Sequence, residues 1–180
     1  MDVLYFHEDD YCQIEMVPIE NEHFIKDELD EINNFSETHQ IADGIYSDMY
    51  VRDNPLIELE TYKIDYYKMD KILSNIALKY EKVTTGYSTY VEECNNTIGY
   101  SLNGINIFIS NDNQYIKKIW FDFDFEELSM VEDLYKIIKT ITSDYDLIFV
   151  HWSWGFYSKV NENKELKNKL MEIYKKASEE

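Results

Sequence analysis

The sequence predicts an α+β domain, a mainly antiparallel sheet with helices packed largely on one face. Three observations carry this expectation. Strand-like segments succeed one another across short turns, of which Asn103-Gly104 is the strongest hairpin signal. Helical periodicities stand in separate blocks and lack the regular alternation with strands that a parallel βαβ sheet requires. The chain is also 44% hydrophobic and 16% aromatic over 180 residues, enough apolar material to build a core despite its charge. One domain over 1–180 is expected. Only 2 Pro and 5 Gly occur, no Gly, Ser or Pro run forms a linker, and no repeat of solenoid period is visible.

Residues 3–7 and 11–17 read as a hairpin around Glu8-Asp9-Asp10, with Cys12, Ile14 and Met16 alternating against Gln13 and Glu15. Pro18 ends it. From about Asn21, Phe24, Ile25, Leu29, Ile32 and Phe35 fall near helical spacing on an acidic helix. Residues 45–51 alternate weakly as a strand, and Pro55 marks a turn before Leu56 to Leu59. A second helix follows from a possible Asp65 cap, with Met69, Ile72, Leu73, Ile76 and Tyr80 on one stripe. Residues 83 to 123 should form a meander. Within it, Thr97–Leu102 and Ile105–Ser110 flank Asn103-Gly104, Asn111 to Gln114 turns, and Ile116 to Phe123 is the next strand. Asp124 and Glu127 resemble a capping box for a helix burying Leu128, Val131, Tyr135 and Ile138. Leu147 to Trp154 reads as a last strand. The final helix runs from about Asn161 with Leu166, Leu170, Ile173 and Ala177 as its stripe.

Charge narrows the function. There are 36 acids against 17 bases, a net −19, and residues 1–60 hold 17 of the acids with only Lys26 and Arg52 as bases. That third of the chain carries −15 and the remainder −4. Like charges crowded together oppose compaction, and the excess is larger than solubility requires, about 2 to 8 charges for a small domain. A basic protein partner answers the asymmetry, and solubility alone is the plain alternative. Phosphate backbones and anionic membranes are disfavoured partners, because both attract Lys and Arg. The longest nearly apolar stretch, Leu147 to Tyr157, is 11 residues where a helical span needs roughly 20. The acidic start, Met1-Asp2-Val3, lacks the basic flank of a secretory signal, so the cytoplasm is expected.

Motifs for chemistry are sparse. Cys12 and Cys94 match no zinc or redox spacing and read as reduced, largely buried thiols. The histidines His7, His23, His39 and His151 place no two ligands on one helical face, and no cofactor or metal is expected. There is no G-x-S-x-G elbow and no Gly-rich phosphate loop. Asp122 and Asp124 share a strand face and could do acid–base work, but a chain with 36 acids yields such pairs by chance. Trp152, Trp154 and Phe156 alternate as if on one side of an extended segment, and core is the favoured home for them. The candidate partner-binding residues are therefore Glu8, Asp9 and Asp10 at the first turn, with Glu28, Glu31 and Asp48 as neighbours. Tyrosine beside carboxylate suits a basic surface, and 16 tyrosines are present.

The opening Leu4-Tyr5-Phe6-His7-Glu8-Asp9-Asp10-Tyr11-Cys12-Gln13-Ile14-Glu15, with the size, acidity and missing catalytic motifs, resembles the small cytoplasmic immunity proteins of bacterial polymorphic or contact-dependent toxin systems. The resemblance implies a single-domain inhibitor that binds a toxin domain, often a basic nuclease, and blocks its active site. It covers about a dozen residues and carries over no catalytic residue. A nucleic-acid-mimicking regulatory binding protein and a small soluble enzyme with an unrecognised site stay open beside it.

Overall fold

The computed structural model describes residues 2–42, 44–87, 89–160 and 163–179. Its strands are β1 (Val3–His7), β2 (Ile14–Pro18), β3 (Gln40–Ala42), β4 (Ile45–Tyr46), β5 (Leu78–Tyr80) and β6 (Lys82–Tyr87), then β7 (Tyr90–Glu93), β8 (Thr97–Leu102), β9 (Ile105–Asn111), β10 (Ile116–Asp122), β11 (Leu147–His151) and β12 (Phe156–Lys159). The helices are α1 (Glu22–His39), α2 (Tyr66–Leu73), α3 (Leu128–Ile141) and α4 (Asn163–Glu179). Seven strands form the main sheet in the order β12-β11-β2-β10-β9-β8-β5, and its neighbours pair antiparallel. The fold is α+β, as the sequence predicts.

Alternation along the central strands assigns each face its cover. Met16, Ile107, Ile109, Ile119, Phe121 and Phe149 point one way and pack with Met69 and Leu73 of α2, Val131, Leu134 and Ile138 of α3, and Leu166 and Leu170 of α4. On the opposite face, Val17, Ile148 and Val150 receive Ile25 and Leu29 of α1. Beside them Phe108 and Trp120 receive Phe6 and Val83 from a second, three-stranded sheet ordered β1-β6-β7. Three helices thus share one face, and α1 lies next to the small sheet on the other. Both faces of β2 are covered, which is why all five of its residues are buried.

Several local expectations are corrected. β1 and β2 do not pair as a hairpin. β1 runs parallel to β6, whereas β2 inserts between β10 and β11. A 3-10 turn over Glu8–Asp10, followed by Cys12 at φ 55°, carries the chain from one sheet to the other. Period-two alternation reports a strand and not its neighbour. Consequently β6 and β7 leave the expected meander, which holds for β8, β9 and β10. The Asn103-Gly104 turn has φ of 49° and 82°, the paired left-handed conformation that a two-residue hairpin of this kind needs.

Asp65 caps α2 by accepting the Lys68 N–H at 2.7 Å, but the helix stops at Leu73. Tyr80 lies in β5, paired with Gly99, because a sheet edge was open to it. The Asp124–Glu127 capping box does not form. Phe123 and Phe125 are buried and hold that stretch extended, so α3 begins at Leu128 and buries Met130, Val131, Leu134, Ile137, Ile138 and Ile141, with Leu128 exposed. The strand expected through Trp154 ends at His151. A turn with Gly155 at φ 64° reverses the chain into β12, which buries Trp152 and leaves Trp154 41% exposed. Of the strand expected over residues 45–51, only Ile45–Tyr46 forms, paired with β3. Asn161 and the Ala177 side chain lie outside the described residues.

Candidate functional site

Glu8, Asp9 and Asp10 make up the 3-10 turn that joins the two sheets. His7 caps it, its Nδ1 accepting the Asp9 N–H at 3.4 Å. Tyr87, at the end of β6, donates its hydroxyl to Asp9 Oδ1 at 2.9 Å and meets the His7 ring edge-on. That bond to a carboxylate holds the Tyr87 phenol above its ordinary pKa. Partial burial, with Asp122 next in weight, pushes the Asp10 carboxyl up, and His7 only partly offsets them. The turn therefore gathers negative charge rather than neutralising it.

Glu31 and Asp48 are exposed on α1 and on the strap, residues 47–58, that follows the β3–β4 ribbon, whereas Glu28, expected beside them at the surface, is buried at 5% exposure under Tyr50 and the strap backbone. The Tyr50 hydroxyl donates to Glu28 Oε1 at 2.9 Å and to Glu31 Oε2 at 3.2 Å. Glu28 Oε1 also accepts the Asp53 N–H at 3.1 Å. Desolvation and the two carboxylates raise the Tyr50 phenol well above its ordinary pKa. Asp48 accepts the Met49 N–H at 2.8 Å. The six residues thus fall into a turn trio and an α1–strap trio. Both belong to the layer of α1 and small sheet that covers one face of the main sheet.

The lysines make their ion pairs elsewhere. Lys26 and Lys159 meet Glu22, Lys68 meets Asp144, Lys79 meets Asp70, Lys82 meets Glu93, and Lys167 meets Glu132. Among the described residues none of the six candidates is ion-paired to Lys or Arg; Asp9 faces only His7, at 3.5 Å. The carboxylates of Asp9, Glu28, Glu31 and Asp48 are held by tyrosine hydroxyls and backbone N–H groups, which fix position without cancelling charge.

Sequence reasoning missed the anchor beneath this layer. Glu15, read as a solvent-facing strand residue, is 4% exposed. Its Oε1 accepts from Trp152 Nε1 at 2.9 Å and faces Arg52 Nη1 at 3.4 Å. The Arg52 guanidinium lies 4.3 Å from the Trp152 ring centroid and bonds the Cys12 carbonyl at 3.3 Å. Burial raises the Glu15 carboxyl, while Arg52 and the Trp152 N–H oppose the rise. Asn21, fully buried, exchanges two hydrogen bonds with the Ile57 backbone, at 2.8 and 2.9 Å. Arg52 was the available signal: it is the sole arginine beside 16 lysines, and a planar, always charged fork suits a buried pair.

Two hollows adjoin the layer. A cleft of about 290 Å³ opens next to the pairing of Glu15 with Trp120, lined by Glu58, Glu60, Lys117 and Lys118. A second of about 510 Å³ lies between the sheets against Phe6, Tyr11 and Trp120. Among the described residues, Thr85 Oγ1 and Trp120 Nε1 are buried there without hydrogen-bond partners. Cys12 is buried and Cys94 half-buried, both free thiols; burial pushes Cys12 up to about 12. Among the described residues no three His, Cys, Asp or Glu side chains are placed to hold a metal ion, and no helix is long and apolar enough to cross a membrane.

The chain matches no protein-family model, and no curated protein or solved structure shows significant similarity to it.

Proposed function

We propose that the chain is a binding protein acting in the cytoplasm, capturing a basic protein, in the immunity reading a toxin domain, through the acidic layer formed by the Glu8–Asp10 turn and the α1 edge. One observation supports it: none of the six carboxylates has a Lys or Arg ion-pair partner among the described residues, and those of Asp9, Glu31 and Asp48 are held at the surface by neutral donors. A cationic partner reaching such a surface gains charge pairs without displacing an internal lysine. The long-range field also speeds encounter, because complementary potentials raise association rates by orders of magnitude.

The test is co-expression and purification with candidate toxin domains encoded next to its gene, followed by stopped-flow association. Between about 0.05 and 0.5 M salt the Debye length falls from roughly 14 to 4 Å, so association slows by at least about tenfold while dissociation changes less. Asp9→Lys with Asp10→Lys weakens binding and leaves the unfolding midpoint near that of the unaltered protein, because an exposed turn contributes little packing. A chain that neither protects cells nor binds any of these domains, and instead turns over a small molecule, overturns the reading.

A further inference from the structure

The segment between α1 and a 3-10 turn at Leu59–Tyr62 is built inside out. Three of its polar groups are tied inward: Tyr50 to Glu28 and Glu31, Arg52 to Glu15 and Trp152, and the Ile57 backbone to Asn21. Its large apolar side chains point to solvent. Met49 and Val51 are each 78% exposed, Leu56 81%, and Ile41 69% on the β3–β4 ribbon just before them. A single exposed apolar side chain needs no explanation, but a run of them on one pinned segment marks a contact surface. Nothing in this chain's own stability is gained by it. The three inward tethers, at Tyr50, Arg52 and Ile57, fix the strap in place, so little ordering entropy remains to be lost on contact.

We propose that Met49, Val51 and Leu56 form the apolar centre of a protein-binding surface whose acidic rim is Glu31 and Asp48, and that its occupant is a basic protein presenting apolar side chains ringed by Lys and Arg. This rests on the binding reading above and names the contact that would carry its affinity. Charge selects the occupant. Residues 22–58 hold ten acids against Lys26 and Arg52, a net −8, and Arg52 is already committed to Glu15. A second copy of the chain would bring −8 against −8, and a nucleic acid or anionic membrane would be repelled too. The arrangement of apolar centre and charged rim is that of specific protein interfaces, where a few central anchors carry most of the energy.

The test places a photo-crosslinking amino acid at Met49, Val51 or Leu56, with Tyr67 and Leu78 as exposed controls on other elements, in cells of the organism that encodes the chain. The protein captured from the strap is then purified, and its binding measured by calorimetry against the unaltered chain and a variant carrying M49S, V51S and L56S. Expected are crosslinks from the strap and not from the controls to a basic protein, and affinity lost roughly 100-fold in the triple variant, since each central anchor is worth upwards of about fivefold. That loss persists at high salt, whereas the effect of changing Asp9 and Asp10 shrinks. A basic partner that binds the triple variant as tightly as the unaltered chain overturns this inference and leaves the binding reading standing. Crosslinks joining two copies, or only an acidic protein, overturn the inference as well. Absence of any basic partner from both the strap and the Glu8–Asp10 turn overturns both.

Discussion

Replacing Arg52 with Gln removes the ion-pair partner of Glu15, and the structure sets the size of the effect. The two side chains are 17% and 6% exposed, so the carboxylate is left charged in a largely dry site. Breaking a buried pair from one side costs about 3 to 5 kcal/mol, and retention of the Trp152 N–H bond places this case near 3. For a chain of this length that lowers the melting temperature by roughly 6 to 12 °C. The sign with pH follows from the carboxyl. Burial already raises Glu15 above its ordinary 4.5, and loss of Arg52 raises it further. Between the unfolded and folded values the native variant binds a proton that the unfolded chain has released, so its stability falls as pH rises through that window. Urea unfolding followed by circular dichroism, for variant and unaltered chain at about pH 5 and 7.5, should show the larger deficit at the higher pH. The background of 36 acids cancels in the difference. Adding Glu15→Gln should recover more than half of it. A deficit under about 1 kcal/mol, or one equal at both pH values, refutes the account of Glu15 as a buried charge held by Arg52.

Two other outcomes concern the end of β11 and the turn that follows it. Trp152→Ala should destabilise by about 3 to 5 kcal/mol, whereas Trp154→Ala, at a half-exposed ring stacked on His151, should lose about 1 or less; equal losses in the melting curves contradict the assigned burial. His151 is held down to about 3 by burial, so stability should decline by about 1.4 kcal/mol per pH unit as pH falls from about 6.5 toward 3. A His151→Gln chain that unfolds with the same acid dependence would dismiss that assignment.

How much of this was legible depends on whether the signal was local. The Asn103-Gly104 hairpin and the Asp65 cap are written within four residues, and both form as read. The stripe of α4 through Leu166 and Leu170 was equally readable, because helical contacts recur at fixed spacing. Partner choice was not. Nothing within residues 3–18 says that β1 will lie beside β6 and β2 between β10 and β11. Leu128 was assigned to the buried stripe because the Phe123 and Phe125 anchors that delay α3 are tertiary contacts. The acids of the candidate surface could be counted from the sequence, and their concentration in the first sixty residues was plain. Their lack of lysine partners could not, since ion pairs such as Lys159 with Glu22 span more than a hundred positions. Glu15 was misread for a related reason: alternation marks one face as polar only when that face meets water.

The position of β2 between β10 and β11 has a consequence for how the molecule comes into being. Its neighbours are residues 116–122 and 147–151, so the strand is synthesised roughly a hundred positions before either side of its slot exists. β1 waits likewise for residues 82–87. Loop-closure entropy makes such distant pairings late and slow events, and the sheet has no centre until they occur. A nascent chain halted before residue 147 therefore carries Ile14, Met16 and Val17 with no strand β11 to receive them. Such intermediates invite chaperones and self-association. The dense negative charge of the first sixty residues opposes the association of such waiting strands with one another.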